Sequence, residues 1–296
     1  MRFDIEPDEE TVFHQEYISI PRELAAHNRR LYRMNKHYAV SGGMLSLRQK
    51  EGFQDISNVR IDIQVLGDTW FERQAYQEAF EQWLEMRETT DTPNDLKGRW
   101  NDWRVLMDSQ QSSDSTELLR SASITKYGDF DFSDYTFHKS DGTVGTQLAY
   151  ATNMTDWNES DSTFSMQEAY KQMLMKPPVQ DLPEVDASTT LASSPYVRFD
   201  TIDTNEVGVE IMKDAIEEGF NPPYSRDYQQ CDNETIFSGR LPSNGSTVHL
   251  PSFIAPLGYI KVLMRVDDSK EQFIEDMEFT LTLDVANGDY KGVAAI

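Results

Sequence analysis

The chain has 296 residues, with 27 Lys and Arg against 51 Asp and Glu, for a formal net charge of -24. A polyanion of this kind repels nucleic acid and anionic lipid as a whole, which excludes a uniformly basic nucleic-acid-coating protein. Aromatic residues reach 11% although hydrophobic residues total only 38%, and so many rings demand burial in a folded core with long polar loops.

The single cysteine, Cys231, excludes an intramolecular disulfide. The opening Met1-Arg2-Phe3-Asp4-Ile5-Glu6 lacks the basic and then apolar order of a signal peptide. No apolar run approaches the roughly 18 residues of a membrane span. These features lead us to expect folding in a reducing cell interior without membrane insertion, and chance sequons at Asn153, Asn158, Asn233 and Asn244.

Residues 1–16 read as an acidic N-terminal extension, with Asp4, Glu6, Asp8, Glu9 and Glu10 against Arg2. Strands are expected at Tyr17–Ile20 and Tyr38–Leu47, and strict alternation predicts a half-buried strand at Val59–Val65. Thr69 and Glu72 form a capping box that opens a helix over Thr69–Arg87, with Tyr76, Phe80, Trp83 and Leu84 on one face. The Ser-rich stretch Ser109–Thr116 reads as a loop. Asp129-Phe130-Asp131-Phe132-Ser133-Asp134 reads as a strand with one solvated acidic face, although several convergent oxygens there would suit a hard cation. Further strands are expected at Tyr135–His138 and Gln147–Ala151. A second capping box, Ser165 with Glu168, starts a helix over Ser165–Lys176 that Pro177-Pro178 stops. A surface excursion over Pro177–Ser194 leads to a strand at Tyr196–Ile202 and a helix over Glu206–Glu218 closed by Gly219. The chain then offers strands at Thr247–Leu250, Tyr259–Val266 and Met277–Val285, the second the more deeply buried. Together these elements predict an all-β fold: an antiparallel jelly-roll sandwich with a few short inserted helices, one domain over 1–296.

Catalytic motifs are missing from the sequence. It holds no phosphate-cradling Gly loop, no G-x-S-x-G elbow, no H-E-x-x-H and no zinc-type Cys/His spacing. His14, His27, His37, His138 and His249 are scattered, so no metal and no cofactor is expected. With 51 acidic residues, a glycosidase-like carboxylate pair arises by coincidence and carries no signal. We therefore expect a non-enzymatic protein.

One run stands out against the acidity. Between His27 and Tyr38 the chain carries Arg29, Arg30, Arg33 and Lys36 and no acid, interleaved with Tyr32 and Tyr38. Cations with aromatics suit phosphate contact and base stacking; equally, they suit pairing with acids of a neighbouring element or subunit.

The order of features carries a resemblance. Asn28-Arg29-Arg30-Leu31-Tyr32-Arg33 leads into a strand, followed by Gly67-Asp68-Thr69-Trp70, the helix ending Phe80-Glu81-Gln82-Trp83, and Gly98-Arg99-Trp100-Asn101-Asp102-Trp103. Asn221-Pro222-Pro223-Tyr224 and Gly288-Asp289-Tyr290-Lys291-Gly292-Val293-Ala294 come later. The set resembles capsid proteins of environmental, circular, replication-initiator-encoding single-stranded DNA viruses. That resemblance implies a jelly-roll fold, self-assembly of copies into an icosahedral virion shell with a single-stranded DNA genome on its inner face, an outer face open to a host surface receptor, and no catalysis; the acid-free run then offers Arg29, Arg30, Arg33, Lys36 and Tyr32 for contact with that genome. Such capsids often carry a basic amino arm, which the acidic start here lacks. That departure keeps open a double jelly-roll capsid protein of a membrane-containing phage. A phage tail or carbohydrate-binding β-sandwich, and an all-β glycoside hydrolase, are the readings from other classes.

Overall fold

The computed structural model describes residues 1–6, 13–49, 59–90, 102–114, 117–124, 128, 131–138, 144–152, 163–175, 233–241, 247–266 and 277–286. The expected strand at Tyr196–Ile202, the expected helix at Glu206–Glu218, Cys231 and Asp129 lie outside these residues. Antiparallel strands dominate and helices are few. Where the sequence suggests one domain, the chain groups into two compact units: Met1–Asp68 with Gly98–Ser133 and Asn233–Ile296, and Thr69–Lys97 with Asp134–Asp232.

The first unit is built from two antiparallel sheets. In one, β1 (Arg2–Ile5) pairs with β12 (Met277–Val285), β12 with β3 (Tyr38–Gln49), and the far edge of β3 with both β9 (Thr247–Leu250) and β10 (Phe253–Ala255). In the other, β2 (Phe13–Ser19) pairs with β11 (Tyr259–Val266), β11 with β4 (Val59–Val65), and β4 with β8 (Glu234–Leu241). Alternation fixes what each strand buries. Met277, Phe279, Leu281 and Leu283 of β12, and Val59, Ile61, Ile63 and Val65 of β4, join Ile260, Val262 and Met264 of β11 in one apolar core shared by both sheets. The unit is thus a β-sandwich.

Of the residues 1–16 expected as an acidic extension, Arg2–Ile5 form β1 and Phe13–Glu16 begin β2. Phe3 and Ile5 alternate with Arg2 and Asp4, so β1 buries its apolar side in the shared core while its charges face out. Sequence reading also missed a helix. Tyr17–Ser19 end β2, but Ile20 opens α1 (Ile20–Asn28), with Pro21 in its first turn, where a missing N–H costs nothing. Its buried Arg22 donates from Nη2 to Glu23 Oε1 at 3.0 Å and to the carbonyls of Leu118 and Leu119 at 3.2 Å. Glu23 Oε2 in turn accepts from the Ser121 amide at 3.1 Å.

β11 is covered on both faces, as its apolar run suggests. Its outward residues Tyr259 and Lys261 lie beneath the 102–124 segment: Tyr259 donates its hydroxyl to the Val105 carbonyl at 2.6 Å and Lys261 donates to Asp108.

In the second unit the expected capping box opens α2 (Trp70–Thr90): the Thr69 amide donates to Glu72 Oε2 at 2.8 Å and the Glu72 amide to Thr69 Oγ1 at 3.3 Å. At α3 (Met166–Met175) the Glu168 amide donates to Ser165 Oγ at 3.2 Å. Phe71 and Ala75 of α2 pack on Tyr170 of α3. The strands β5 (Asp134–His138) and β6 (Val144–Tyr150) are antiparallel, whereas β6 and β7 (Thr163–Ser165) are parallel.

Gly258, at φ +73°, turns the chain into β11; a Cβ there would stand 2.4 Å from Pro21 Cδ and 2.9 Å from Tyr38 Cδ2. Strain and overlap with a rigid ring and a buried one add, so Gly258→Ala is expected to lower stability by roughly 2–3 kcal/mol in urea unfolding. Gly128→Ala, where a Cβ meets nothing within 4 Å, serves as control; equal midpoints for the two variants would contradict this account of Gly258.

Candidate nucleic-acid interface

The cationic run connects α1 to β3 and is neither strand nor helix. Arg29 caps α1 in the left-handed conformation at φ 53°, ψ 42°, and the turn leaves Arg29 and Arg30 exposed. Tyr32 is half-buried against the shared core and its hydroxyl accepts from Asn28 Nδ2 at 3.1 Å. The later part of the run turns inward. Arg33 lies with Nη1 3.5 Å from Asp102 Oδ1, Met34 is buried, and Lys36 is only 8% exposed. Tyr38 is fully buried and donates its hydroxyl to the Arg33 carbonyl at 2.7 Å, so its ring offers no face for stacking. His37 is exposed and stands 3.8 Å from Asp68.

The structure therefore divides the cations. Arg29 and Arg30 face solvent with Tyr32 beside them; Arg33 and Lys36 are drawn into the protein. Nothing local announces this division, because Asp102 reaches Arg33 from far along the chain. Burial pushes the Asp102 carboxyl up to about 6, against the opposing pull of Arg33 and Arg104 and of the Trp103 and Met34 amides.

A second polar centre, which sequence reading did not find, lies on the outward face of β11. Asp108 Oδ1 accepts from Tyr17 Oη at 2.7 Å, the Gln110 amide at 3.0 Å and the Gln111 amide at 3.1 Å. Its Oδ2 accepts from Lys261 Nζ at 2.7 Å and Asn233 Nδ2 at 3.2 Å. Nζ also lies 5.1 Å from the centre of the Tyr17 ring. Burial and the adjacent carboxylate push the Tyr17 phenol far above its ordinary value, so it remains a donor. Residues from four separate stretches meet here, Tyr17 on β2, Asp108 with Gln110 and Gln111, Asn233, and Lys261 on β11, and no spacing in the sequence signals it.

Of the acidic cluster, the described residues before Asp134 do not form the expected strand. Asp131, Phe132 and Ser133 lie outside any strand, and β5 begins at Asp134. The Asp131 carbonyl accepts from Arg104 Nη1 at 3.1 Å. Among the described residues no three His, Cys, Asp or Glu side chains gather as a metal site. Comparison of the chain with protein-family models, curated proteins and solved structures finds no match.

The raised Asp102 pKa has a definite sign. The folded chain binds this proton more tightly than the unfolded one, so the cost of the charged carboxylate is absent below pH 3.8 and complete above about 6. Asp102→Asn, a mimic of the neutral acid, is expected to gain roughly 1–3 kcal/mol over the wild type at pH 7.5, with the gain vanishing towards pH 4. Urea unfolding of both proteins across that range measures it; a difference independent of pH would contradict the assignment.

Proposed function

We propose that this chain is the subunit of an icosahedral viral shell that encloses a single-stranded DNA genome, and that its first unit is a jelly roll. The observation that carries the reading is the nesting of strand pairs. β1 pairs with β12, β2 with β11, β3 with β9 and β10, and β4 with β8. Counting β9 and β10 as one interrupted position on β3, the eight positions alternate between sheets on the way in and repeat the alternation in reverse on the way out. That order is what results when one long antiparallel hairpin is rolled into a two-sheet sandwich, an architecture used by capsid, lectin and cupin domains. The resemblance of the ordered motifs to capsid proteins of single-stranded DNA viruses selects the capsid among these. A single roll suffices: the described strands of the second unit number three, one pair of them parallel. No described helix is long and apolar enough to cross a membrane.

A shell subunit needs no catalytic centre, and we assign none. Genome contact falls to Arg29 and Arg30, which stand exposed, with Tyr32 beside them; Arg33 and Lys36 serve mainly to hold the run against the protein. Two phosphate contacts per subunit repeat around a shell, each adding about 0.7 to the log–log salt slope for single-stranded DNA.

Expression followed by sedimentation and negative-stain microscopy tests the reading. Closed particles holding nuclease-protected DNA are expected. The Arg29→Gln, Arg30→Gln double variant is expected to form the same particles with less protected DNA. Monomers under all salt conditions, or a monomer that binds a glycan array, would overturn the shell assignment; normal DNA content in the double variant would overturn the interface.

A further inference from the structure

The centre around Asp108 has the composition of a site for self-cross-linking. Lys261 and Asp108 are nearly inaccessible, their side chains 5% and 8% exposed. Both Lys261 Nζ and Asn233 Nδ2 donate to the same carboxylate oxygen, at 2.7 Å and 3.2 Å. A primary amine and a primary amide are thereby held side by side on one acid–base group. The other oxygen of Asp108 is fixed by three donors, Tyr17 Oη and the Gln110 and Gln111 amides, which aim Oδ2 at the pair. The Tyr17 ring shields Nζ on one side. Lys261 also donates to Gln110 Oε1 at 3.1 Å. The Asn233 oxygen Oδ1 is buried without a hydrogen-bond partner, a costly state for an amide.

We infer that Lys261 and Asn233 join through an intramolecular amide bond, with Asp108 as the acid–base group that forms it. The inference is independent of the shell assignment. In the reaction Asp108 Oδ2 takes a proton from the Lys261 ammonium along the 2.7 Å contact, freeing the Nζ lone pair. A half-turn of the Asn233 amide brings Oδ1 to the protonated acid, which polarises the carbonyl and satisfies the orphaned oxygen. Nζ attacks Cγ and a new N–C bond forms. Asp108 passes its proton to Nδ2 and takes one from Nζ, the Cγ–Nδ2 bond breaks, and ammonia leaves. Ammonia carries away the remaining proton as ammonium and the carboxylate is restored. An amine and an amide give a secondary amide and ammonium, with no oxidant, reductant or activated donor. Holding the two groups on one buried carboxylate supplies the proximity that such an exchange needs. The product ties β11 to the residue that precedes β8, across the outward face of β4.

Peptide-level mass spectrometry of the purified full chain after tryptic digestion tests this. The expected result is one branched peptide joining the segments that contain Lys261 and Asn233, about 17 Da lighter than their sum, with Lys261 resistant to cleavage. Asp108→Ala, which retains both reacting residues, is expected to yield the two linear peptides. Separate unmodified peptides from the wild type would overturn the inference. So would a loss of about 18 Da linking Lys261 to Asp108, or an undiminished cross-link in Asp108→Ala.

Discussion

Everything described in the first unit depends on one apolar core shared by two sheets. Neither sheet buries its inner face alone. β12 lies between β1 and β3, and β11 between β2 and β4, so in each sheet one interior strand comes from the last part of the chain. Each inward Val, Ile, Leu or Phe contributes about 1.5–3 kcal/mol by leaving water, and a slip of one residue would turn that whole set outward. The pairing of β11 with both β2 and β4 runs without a break in register, and that of β12 with β3 shifts only at Asp284/Val285. The nested order follows: a chain that must place its end between its beginning and its middle folds back on itself.

Charges specify what the core cannot. The chain carries -24 overall, yet three of its buried carboxylates stand beside cations: Glu23 with Arg22, Asp102 with Arg33, Asp108 with Lys261. The last two acids belong to the 102–124 segment that covers the second sheet, and Glu23 also holds the Ser121 amide of that segment. Taking both charges of such a pair out of water costs about as much as their attraction returns, so these pairs dictate where a loop rests more than they add to stability. The same device governs the cationic run. Asp102 draws Arg33 inward, which leaves Arg29 and Arg30 as the part of the run open to a polyanion.

Legibility in the sequence followed periodicity. The strands at Val59–Val65, Tyr259–Val266 and Met277–Val285 were readable to the residue, because a shared core imposes alternation or continuous burial on them. The Thr69 box was readable because capping is local. α1 was not: only nine residues long, it carries no side-chain N-cap hydrogen bond and buries Arg22 and Glu23, which look like surface residues. β1 was lost among acids that flank just two inward side chains. β8 is an edge strand with most residues partly or fully exposed, so its apolar signal is faint. For the candidate site, the run of cations was visible from composition, but its division into exposed and buried halves was not. Neither was the Asp108 centre, since both are made by contacts between residues distant along the chain.

Native-state hydrogen exchange of the first unit tests the shared core most directly. If both sheets rest on one core, central amides of β3 and β12 and those of β4 and β11 exchange through the same global opening, with one common free energy and one denaturant dependence. Two separate free energies, with β3 and β12 opening well before β4 and β11, would contradict the account.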